Sequence, residues 1–232
     1  MLPADAEALS AAVAAVKAGE CIVLPTDTVY GIGADAFSSA AVQRLLDAKR
    51  RGTDMPPPVL IAEPGMLRAL TQNPPKGALD LAKEFWPGAL TLILKSQRTL
   101  QLKIGETNGT LAIRVPDHGY ARELLRRTGP LAVSSANISG SPAASTASEA
   151  QAQLGEAVAV YLDAGPAPGG VASTIVDFTA DERGRVVRHG ALAYEALAAI
   201  VPDLVDLPDP EPSPAGDQPT ADGDEAGEPT EP

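Results

Sequence analysis

Three adjacent cations, Lys49, Arg50 and Arg51, follow a stretch with helical periodicity and precede the proline-rich segment GTDMPPP. Cations at the end of a helix commonly face solvent and complement the helix dipole, which is one interpretation of this triplet. Lys49, however, falls seven residues after Val42, on the apolar side of the predicted helix, where a solubilising charge is unfavourable. A lysine and an arginine two positions apart at the entrance to a rigid loop also suit the binding of a polyphosphate.

A second candidate is the segment SSANISGS, residues 134–141, which directly follows the apolar run LAV. Small hydroxyl and amide side chains at the carboxyl end of a strand can bind a ligand, because α/β sheets place ligands at that edge. The same residue types form ordinary turns, so composition alone leaves both interpretations open.

Arg114 stands inside the apolar run TLAIRV. An arginine buried in such a strand requires an anionic partner or ligand, whereas one at the strand end can face solvent. Arg188, in RVVRHG, raises the same question more weakly. Ser173 and Thr174, in STIVD, are either hydroxyl ligands or β-forming residues of a strand.

Several common catalytic motifs are missing from the sequence, among them GxxxxGK[ST], GxSxG and HExxH. The string GIGADA matches GxGxxA, but Arg51 rather than an acidic residue stands twenty positions past Gly31, which disfavours a dinucleotide fingerprint. We therefore interpret Gly31 and Gly33 as glycines that let the chain turn. With one cysteine and two histidines in the chain, an internal disulfide is excluded and a cysteine- or histidine-based metal site is not expected.

The elements that must position these residues alternate between helical and strand patterns. Apolar spacings of three and four predict helices over residues 4–17, 39–49, 67–70, 78–85, 120–127, 147–154 and 192–200. Ser38 and Asp117 are the predicted N-caps of the second and fifth of these helices. Apolar runs predict strands over residues 20–25, 57–62, 88–95, 110–115, 131–135, 157–163, 173–179 and 184–190. This mixture predicts an α/β fold with a mixed sheet.

The 232-residue chain is 44% hydrophobic and 21% charged, which suffices for a sizeable core. Its formal net charge is −12, but residues 206–232 hold nine acidic residues, seven prolines and no Lys or Arg. We predict a folded domain over residues 1–205, with a net charge of about −3, and a disordered acidic tail over residues 206–232. No signal peptide is apparent and no apolar run approaches the ~18 residues of a membrane span, so a cytoplasmic location is expected.

Seven segments appear in an order that resembles the YrdC-like family of threonylcarbamoyl-AMP synthases. They are LPTDTVYGIGADAF, AKRRGTDMPPPVLI, FWPGALTLIL, TLAIRVPDH, LAVSSANISG, VASTIVDF and RVVRHGAL, and together they cover roughly residues 8–195. Individually these segments are weak signals, and their shared order carries the resemblance. It implies a twisted mixed β-sheet flanked by helices, with a large concave active-site cavity. The absence of a further folded domain after residue 205 resembles the short single-domain form of the family.

The resemblance implies a nucleotidyltransferase that makes threonylcarbamoyl-AMP and pyrophosphate from L-threonine, bicarbonate or CO2, and ATP. The product would feed the threonylcarbamoyladenosine modification of tRNA, with a downstream tRNA threonylcarbamoyl transferase as partner and tRNA itself as a further candidate. Mg²⁺ is implied as the companion of ATP, with no protein ligand assigned to it.

The resemblance also implies the site residues. The family's K-x-R motif falls on Lys49 and Arg51, which are implied to be catalytic, and its S-x-N motif falls on Ser135 and Asn137. The implied ATP-binding residues are Lys49, Arg51, Met55, Thr110, Asn137, Ser145 and Arg188. The implied threonine-binding residues are Thr28, Arg114, Ser135 and Ser173.

One loop departs from the family pattern. Many relatives continue K-x-R with Pro, then Asn-Pro-Leu and a histidine that approaches threonine, whereas this chain has Gly52, the segment MPPP at 55–58, and Ile61-Ala62. The contacts implied for this loop, including that of Met55, are therefore weaker expectations than the rest.

Two alternatives remain open from the sequence. An RNA-binding or catalytically inactive paralogue would use the fold's basic surface, which Lys49, Arg50, Arg51, Arg122, Arg126 and Arg127 can line. An aromatic content of 3% leaves little for base stacking, which disfavours it. A carbamoyl-transfer protein with another acceptor is the second alternative, although such domains lie within longer chains.

Overall fold

The computed structural model describes residues 1–53 and 55–208. Its helices are α1 Ala6–Lys17, α2 Ser39–Lys49, α3 Leu67–Leu70, α4 Lys76–Phe85, α5 Gly119–Thr128, α6 Ala147–Leu154 and α7 Tyr194–Ala198. Its strands are β1 Leu2–Pro3, β2 Ile22–Leu24, β3 Gly31–Asp35, β4 Val59–Leu60, β5 Leu90–Lys95, β6 Thr110–Arg114, β7 Leu131–Ser135, β8 Val160–Asp163, β9 Thr174–Asp177, β10 Arg185–Arg188 and β11 Val205–Asp206.

Side-chain caps fix where the long helices begin. The Ser38 hydroxyl accepts from the N–H of Ala41, as the sequence predicts for the start of α2. The predicted cap of α5 is wrong by one residue: Nδ1 of His118, not the carboxylate of Asp117, accepts from the first turn of that helix. The backbone N–H of Asp117 instead donates to Asp27, which holds this corner against another loop.

The strands form one mixed sheet in the order β1-β8-β2-β3-β7-β4-β6-β5-β9-β10-β11. The sheet contains both parallel pairs (β2 with β8, β4 with β6, β5 with β9) and antiparallel ones (β2 with β3, β3 with β7, β5 with β6). Helices cover both faces, so the predicted α/β class with a mixed sheet flanked by helices is confirmed.

Alternating side chains divide the core between the two faces. Val23 packs with α2, α4, α6 and α7 in the larger core cluster, whereas its neighbours Ile22 and Leu24 pack with α1 and α5 in the smaller one. A strand whose successive side chains point to opposite faces produces this division. Helices α2 and α5 therefore lie on opposite faces of the sheet.

The interpretation of Gly31 and Gly33 as turn glycines is wrong, because both lie inside strand β3. A Cβ on Gly31 would approach Cγ1 of Val133 to 2.6 Å, and one on Gly33 would approach Cδ2 of Leu24 to 3.2 Å. These glycines make room for large side chains on the neighbouring strands, a packing role that the spacing alone does not distinguish from turning.

One contact joins parts of the chain that are distant in the strand order of the sheet. Three strands separate β2 from β6, which in a flat sheet would hold them about 19 Å apart at roughly 4.8 Å per strand. Yet Nη1 of Arg114, at the end of β6, lies 2.8 Å from Oγ1 of Thr28 in the loop after β2. The loop between β2 and β3 and the long side chain of Arg114 together reach across the intervening strands at this edge of the sheet.

The described part of the chain ends shortly after the predicted domain boundary. Strand β11 includes Asp206 and pairs with β10, and residues 209–232 of the predicted acidic tail lie outside the described residues. None of the helices within residues 1–53 and 55–208 has the length and apolar character that a membrane span requires.

Candidate active site

The side chain of Lys49 joins the end of α2 to the loop after β7, which we call the S-x-N loop (residues 135–141). Lys49 is 2% exposed. Its Nζ donates to the carbonyl oxygens of Ser135 and Asn137, the second at 2.8 Å, and lies 3.5 Å from Oδ1 of Asn137. The main-chain oxygen of Lys49 accepts from the N–H of Ser139 at 2.9 Å. The K-x-R and S-x-N motifs thus form one physical unit.

The charge of Lys49 is held by neutral oxygens. Within the described ranges no carboxylate lies at ion-pair distance from its Nζ. Burial, and to a smaller extent the nearby charge of Arg51, lowers the pKa of Lys49 from its ordinary 10.5 to about 8. A cation in this position is stabilised by an arriving anion.

Arg51 follows a sharp helix end. Arg50 adopts the left-handed conformation (φ 53°, ψ 46°) that commonly terminates a helix, and the N–H of Arg51 donates to the oxygen of Leu46 at 2.9 Å. Nη1 of Arg51 lies 3.4 Å from Oγ of Ser134, at the end of β7. The second cation of the K-x-R motif therefore lies beside the same strand end as the first.

Arg114 is a second buried cation, and unlike Lys49 it has a carboxylate partner. Its Nη2 lies 2.7 Å from Oδ1 of Asp27, its Nη1 donates to Thr28, and its Nε donates to the oxygen of Gly88 at 2.9 Å. Burial lowers the pKa of Arg114, and the carboxylate of Asp27 opposes that effect. The expectation that a buried arginine requires an anion is met here by Asp27, a residue of this chain, which the sequence interpretation missed.

The signal that could have found Asp27 is its place in the segment PTDTVY. An acidic residue between two threonines that are themselves buried is unusual without a cationic partner. Its carboxylate also accepts from the N–H of Asp117 at 3.0 Å, so it fixes the β2–β3 loop and the corner before α5 together.

Ser173 and Arg188 form a third group. Nη2 of Arg188 donates to the carbonyl oxygen of Ser173 at 2.7 Å and to its hydroxyl at 3.0 Å. The same hydroxyl lies 2.8 Å from Oγ1 of Thr91, a buried residue of β5. Gly190 permits this approach, because a Cβ there would meet the backbone of Ser173 at 2.5 Å.

Backbone hydrogen bonds connect the three groups. The N–H of Ala136, in the S-x-N loop, donates to the oxygen of Tyr30, two residues after Thr28. The N–H of Gly170 donates to the oxygen of Thr28, and Gly170 precedes Ser173 by three residues. The structure therefore connects eight of the eleven implied site residues through a chain of contacts: Thr28, Lys49, Arg51, Arg114, Ser135, Asn137, Ser173 and Arg188.

Three implied ATP-binding residues lie at the margin of this network. Thr110 starts β6 and donates to the oxygen of Thr107, beside a cavity of about 630 Å³ that Lys95 and Arg98 also line. Ser145 donates its hydroxyl to Glu149.

Met55 is the third of these marginal residues. Its side chain is exposed, in the loop that departs from the family pattern. The loop that follows β5 reaches the same segment, because the N–H of Glu106 donates to the oxygen of Thr53 at 3.3 Å.

The arginines of helix α5 do not extend a basic surface from the site. Arg122 and Arg126 both pair with Glu63, at 2.6 and 2.7 Å, and Arg127 pairs with Glu123. Because α5 and α2 cover opposite faces of the sheet, these cations lie apart from Lys49 and are neutralised by carboxylates. The arrangement disfavours the RNA-binding alternative.

No metal centre is evident in the described part of the chain, where no group of three or more His, Cys, Asp or Glu side chains is placed to hold an ion. The buried groups available to a ligand are cations, hydroxyls and amides. The fold and these groups define an α/β protein with a concave site suited to an anionic ligand.

Comparison with known proteins identifies the family. The family model for Sua5, YciO and YrdC, described as "Telomere recombination", matches residues 14–190. This chain belongs to the Sua5/YciO/YrdC family, which confirms the resemblance seen in the sequence.

Individual relatives agree with this assignment. The chain is 51% identical over 190 residues to the "Putative threonylcarbamoyl-AMP synthase" of Mycobacterium tuberculosis H37Rv, a match that covers 82% of this chain and 87% of the relative. It is 38% identical to the threonylcarbamoyl-AMP synthase of Bacillus subtilis, over 83% of this chain and 56% of that one. The fold is similar to the crystal structure of Pyrococcus abyssi Sua5 complexed with L-threonine, with a TM-score of 0.80 and 33% identity over 86% of this chain and 59% of that one.

Proposed function

We propose that this chain is an L-threonylcarbamoyladenylate synthase, which makes threonylcarbamoyl-AMP and pyrophosphate from L-threonine, bicarbonate or CO2, and ATP. The observation that carries the proposal is the contact between the K-x-R and S-x-N motifs around a buried lysine, Lys49, which has no carboxylate partner among the described residues. The names of the relatives support the same reaction.

The triphosphate of ATP is the anion that the first cation group would receive. ATP carries about four negative charges, and release of pyrophosphate concentrates charge on the leaving group. Fixed cations near that position stabilise the transition state, and loss of one such contact typically costs about 3 kcal/mol. Arg51, Arg188 and the charge of Lys49 serve this role in the proposal. Mg²⁺ would arrive with ATP as part of the substrate and bind through its phosphates.

L-Threonine would bind beside Arg114, where the β2–β3 loop meets the end of β6. Arg114 has five N–H donors, and two of them have no partner among the described residues, so they are available to a substrate carboxylate. In the proposal Thr28, whose hydroxyl accepts from Arg114, would contact the substrate together with the hydroxyls of Ser135 and Ser173. Asp27 holds the guanidinium in place while this happens.

The reaction then needs positioning more than a strong base. The unprotonated amine of threonine adds to CO2, forming an N–C bond and releasing a proton to give a carbamate. A carbamate oxygen attacks the α-phosphorus of ATP, and the bond to the bridging oxygen of pyrophosphate breaks. Two charged reactants held in line account for much of the rate gain.

The product is a mixed anhydride and is labile in water, so a downstream enzyme must consume it promptly. In the proposal that enzyme is the transferase that modifies tRNA with the threonylcarbamoyl group. The two successive reactions use ATP and tRNA as substrates, so a cytoplasmic location forms part of the proposal.

Pyrophosphate release tests the function. The full chain is incubated with ATP, Mg²⁺ and bicarbonate, with L-threonine, with L-serine or without an amino acid. We expect release that depends on L-threonine, together with an adenylate of the mass of threonylcarbamoyl-AMP. Release that ignores threonine, or no release above background, would contradict the proposal and favour the paralogue without catalysis.

A further inference from the structure

The ammonium group of Lys49 is directed at oxygens of the S-x-N loop. An ammonium has three hydrogens and no acceptor, and Nζ of Lys49 faces three oxygens: the carbonyls of Ser135 and Asn137 and the side-chain oxygen of Asn137. All three belong to the S-x-N loop. Two of the three donors make hydrogen bonds to loop carbonyls, and the third faces Oδ1 of Asn137 at 3.5 Å, so the ammonium is directed at the loop while these contacts persist.

The S-x-N loop depends on Lys49 through its main chain as well. The oxygen of Lys49 accepts from the N–H of Ser139, so the lysine holds the loop at residues 135, 137 and 139. The amide of Asn137 is used within the loop, since its Nδ2 donates to the oxygens of Ile138 and Ser141 at 2.8 and 2.7 Å. Lys49 holds the loop from the helix side, and Asn137 holds it from within.

The hydroxyl of Ser135 takes no part in these hydrogen bonds within the described residues. Among the described residues its Oγ has no hydrogen-bond partner, whereas its carbonyl oxygen is fixed by Lys49. Arg51 differs from Lys49, because the contact of its Nη1 with Oγ of Ser134 is long, at 3.4 Å, and is made to a side chain rather than to the loop carbonyls.

From these contacts we infer that Lys49 is a positioning residue, which fixes the S-x-N loop so that the loop binds nucleotide and L-threonine, and that Arg51 is the direct ligand of the triphosphate. This inference rests on the proposed function and assigns the two cations of the K-x-R motif different tasks. It replaces the expectation that both bind phosphate.

The two roles predict different ligand dependence. A lysine that touches the β- and γ-phosphates matters for ATP and not for AMP, which lacks them. A lysine that fixes the loop matters for AMP, ATP and L-threonine alike, because all three ligands use the same loop.

Calorimetric titration of AMP, ATP and L-threonine into four full-length proteins separates these roles: wild type, Lys49→Met, Arg51→Met and the control Arg50→Met. We expect Lys49→Met to weaken all three ligands by a similar factor of at least tenfold. We expect Arg51→Met to weaken ATP at least tenfold more than AMP, and Arg50→Met to change nothing. Loss of ATP affinity in Lys49→Met with unchanged affinity for AMP and L-threonine would overturn the inference.

A conservative variant extends the test. Lys49→Arg keeps the charge, but its planar guanidinium cannot direct three donors at the same three oxygens. We expect it to bind AMP and L-threonine as weakly as Lys49→Met does. Restoration of wild-type affinity by Lys49→Arg would show that charge alone suffices and would overturn the inference.

Hydrogen exchange keeps the inference testable if the wild-type chain binds none of these ligands, an outcome that would count against the proposed function instead. Peptides that cover residues 135–141 should exchange at least tenfold faster in Lys49→Met and at the wild-type rate in Arg51→Met, while the core strands stay protected. Unchanged exchange of this loop in both variants would contradict the positioning role.

Discussion

Two buried cations in one site are held in opposite ways. Lys49 faces only neutral oxygens of the S-x-N loop, whereas Arg114 faces the carboxylate of Asp27 at 2.7 Å. Burial lowers the pKa of both, but only Arg114 has an acidic partner that opposes the effect. The charge of Arg114 is therefore balanced by Asp27 before a ligand arrives. The charge of Lys49 is not balanced, so an anionic ligand stabilises the part of the site around Lys49 more.

The largest effect is expected from Arg51, on the half of the site that lacks a carboxylate. Arg51→Met should reduce threonine-dependent pyrophosphate release by about 10²–10³-fold, because one fixed cation near the leaving group is lost. The neighbouring exposed cation serves as control, and Arg50→Met should retain wild-type turnover. A loss below tenfold in Arg51→Met would break the distinction between the two halves.

The next effect is on stability and separates the two cations directly. Asp27→Ala leaves the charge of Arg114 buried without its partner and should lower the free energy of unfolding by about 3 kcal/mol. Lys49→Met removes a buried charge that has no acidic partner, a gain that offsets part of the cost of leaving the carbonyl oxygens of Ser135 and Asn137 without a donor, so at pH 7 the loss of unfolding free energy should be about 1 kcal/mol. Urea unfolding of both variants measures this, and equal losses would refute the contrast.

The pH dependence of stability sharpens the same contrast. The folded-state pKa of Lys49, about 8, lies below its ordinary 10.5, so the unfolded chain binds more protons between these values. Stability therefore rises with pH across this window, and Lys49 should contribute about 2 kcal/mol of that rise between pH 7.5 and 10. The measurement is the difference in unfolding free energy between wild type and Lys49→Met at several pH values, which cancels other titrating groups. A difference that is flat with pH would count against the buried cation.

The smallest effect is expected on helix α5, where the cations are exposed and paired. Arg126→Gln breaks contacts with Glu63 and Glu123 and should leave the unfolding free energy almost unchanged, because exposed ion pairs are screened by solvent. Turnover should remain at the wild-type level. A large loss of activity would mean that this face contributes to the site after all.

Local patterns in the sequence were sufficient to predict most elements. Strand β7 (Leu131–Ser135) and helix α6 (Ala147–Leu154) have the predicted bounds, because apolar runs and caps are encoded by neighbouring residues. The burial of Lys49 was also predictable, from its position seven residues after Val42 on one helix face.

The parts that failed depend on residues distant in the chain. Gly31 and Gly33 leave space for the side chains of Val133 and Leu24. No local pattern in the sequence reveals that a glycine faces a large residue on another strand. The partnership of Asp27 with Arg114 likewise spans 87 positions, and it exists only because the fold brings the β2–β3 loop to the end of β6. The implied roles of Thr110, Ser145 and Met55 stay predictions.

The sequence separation within this site also bears on how the protein is made. The contact between Lys49 and Ser135 and the contact between Thr28 and Arg114 each join residues 86 positions apart in the chain. Both contacts therefore close large loops when they form. Contacts of this kind slow folding, because their entropy is lost before their energy is gained. On the ribosome, the N-terminal third of the chain emerges with its buried cation still lacking the oxygens that will surround it. Until the later strands are synthesised, the nascent chain presents that charge and its apolar surroundings to solvent.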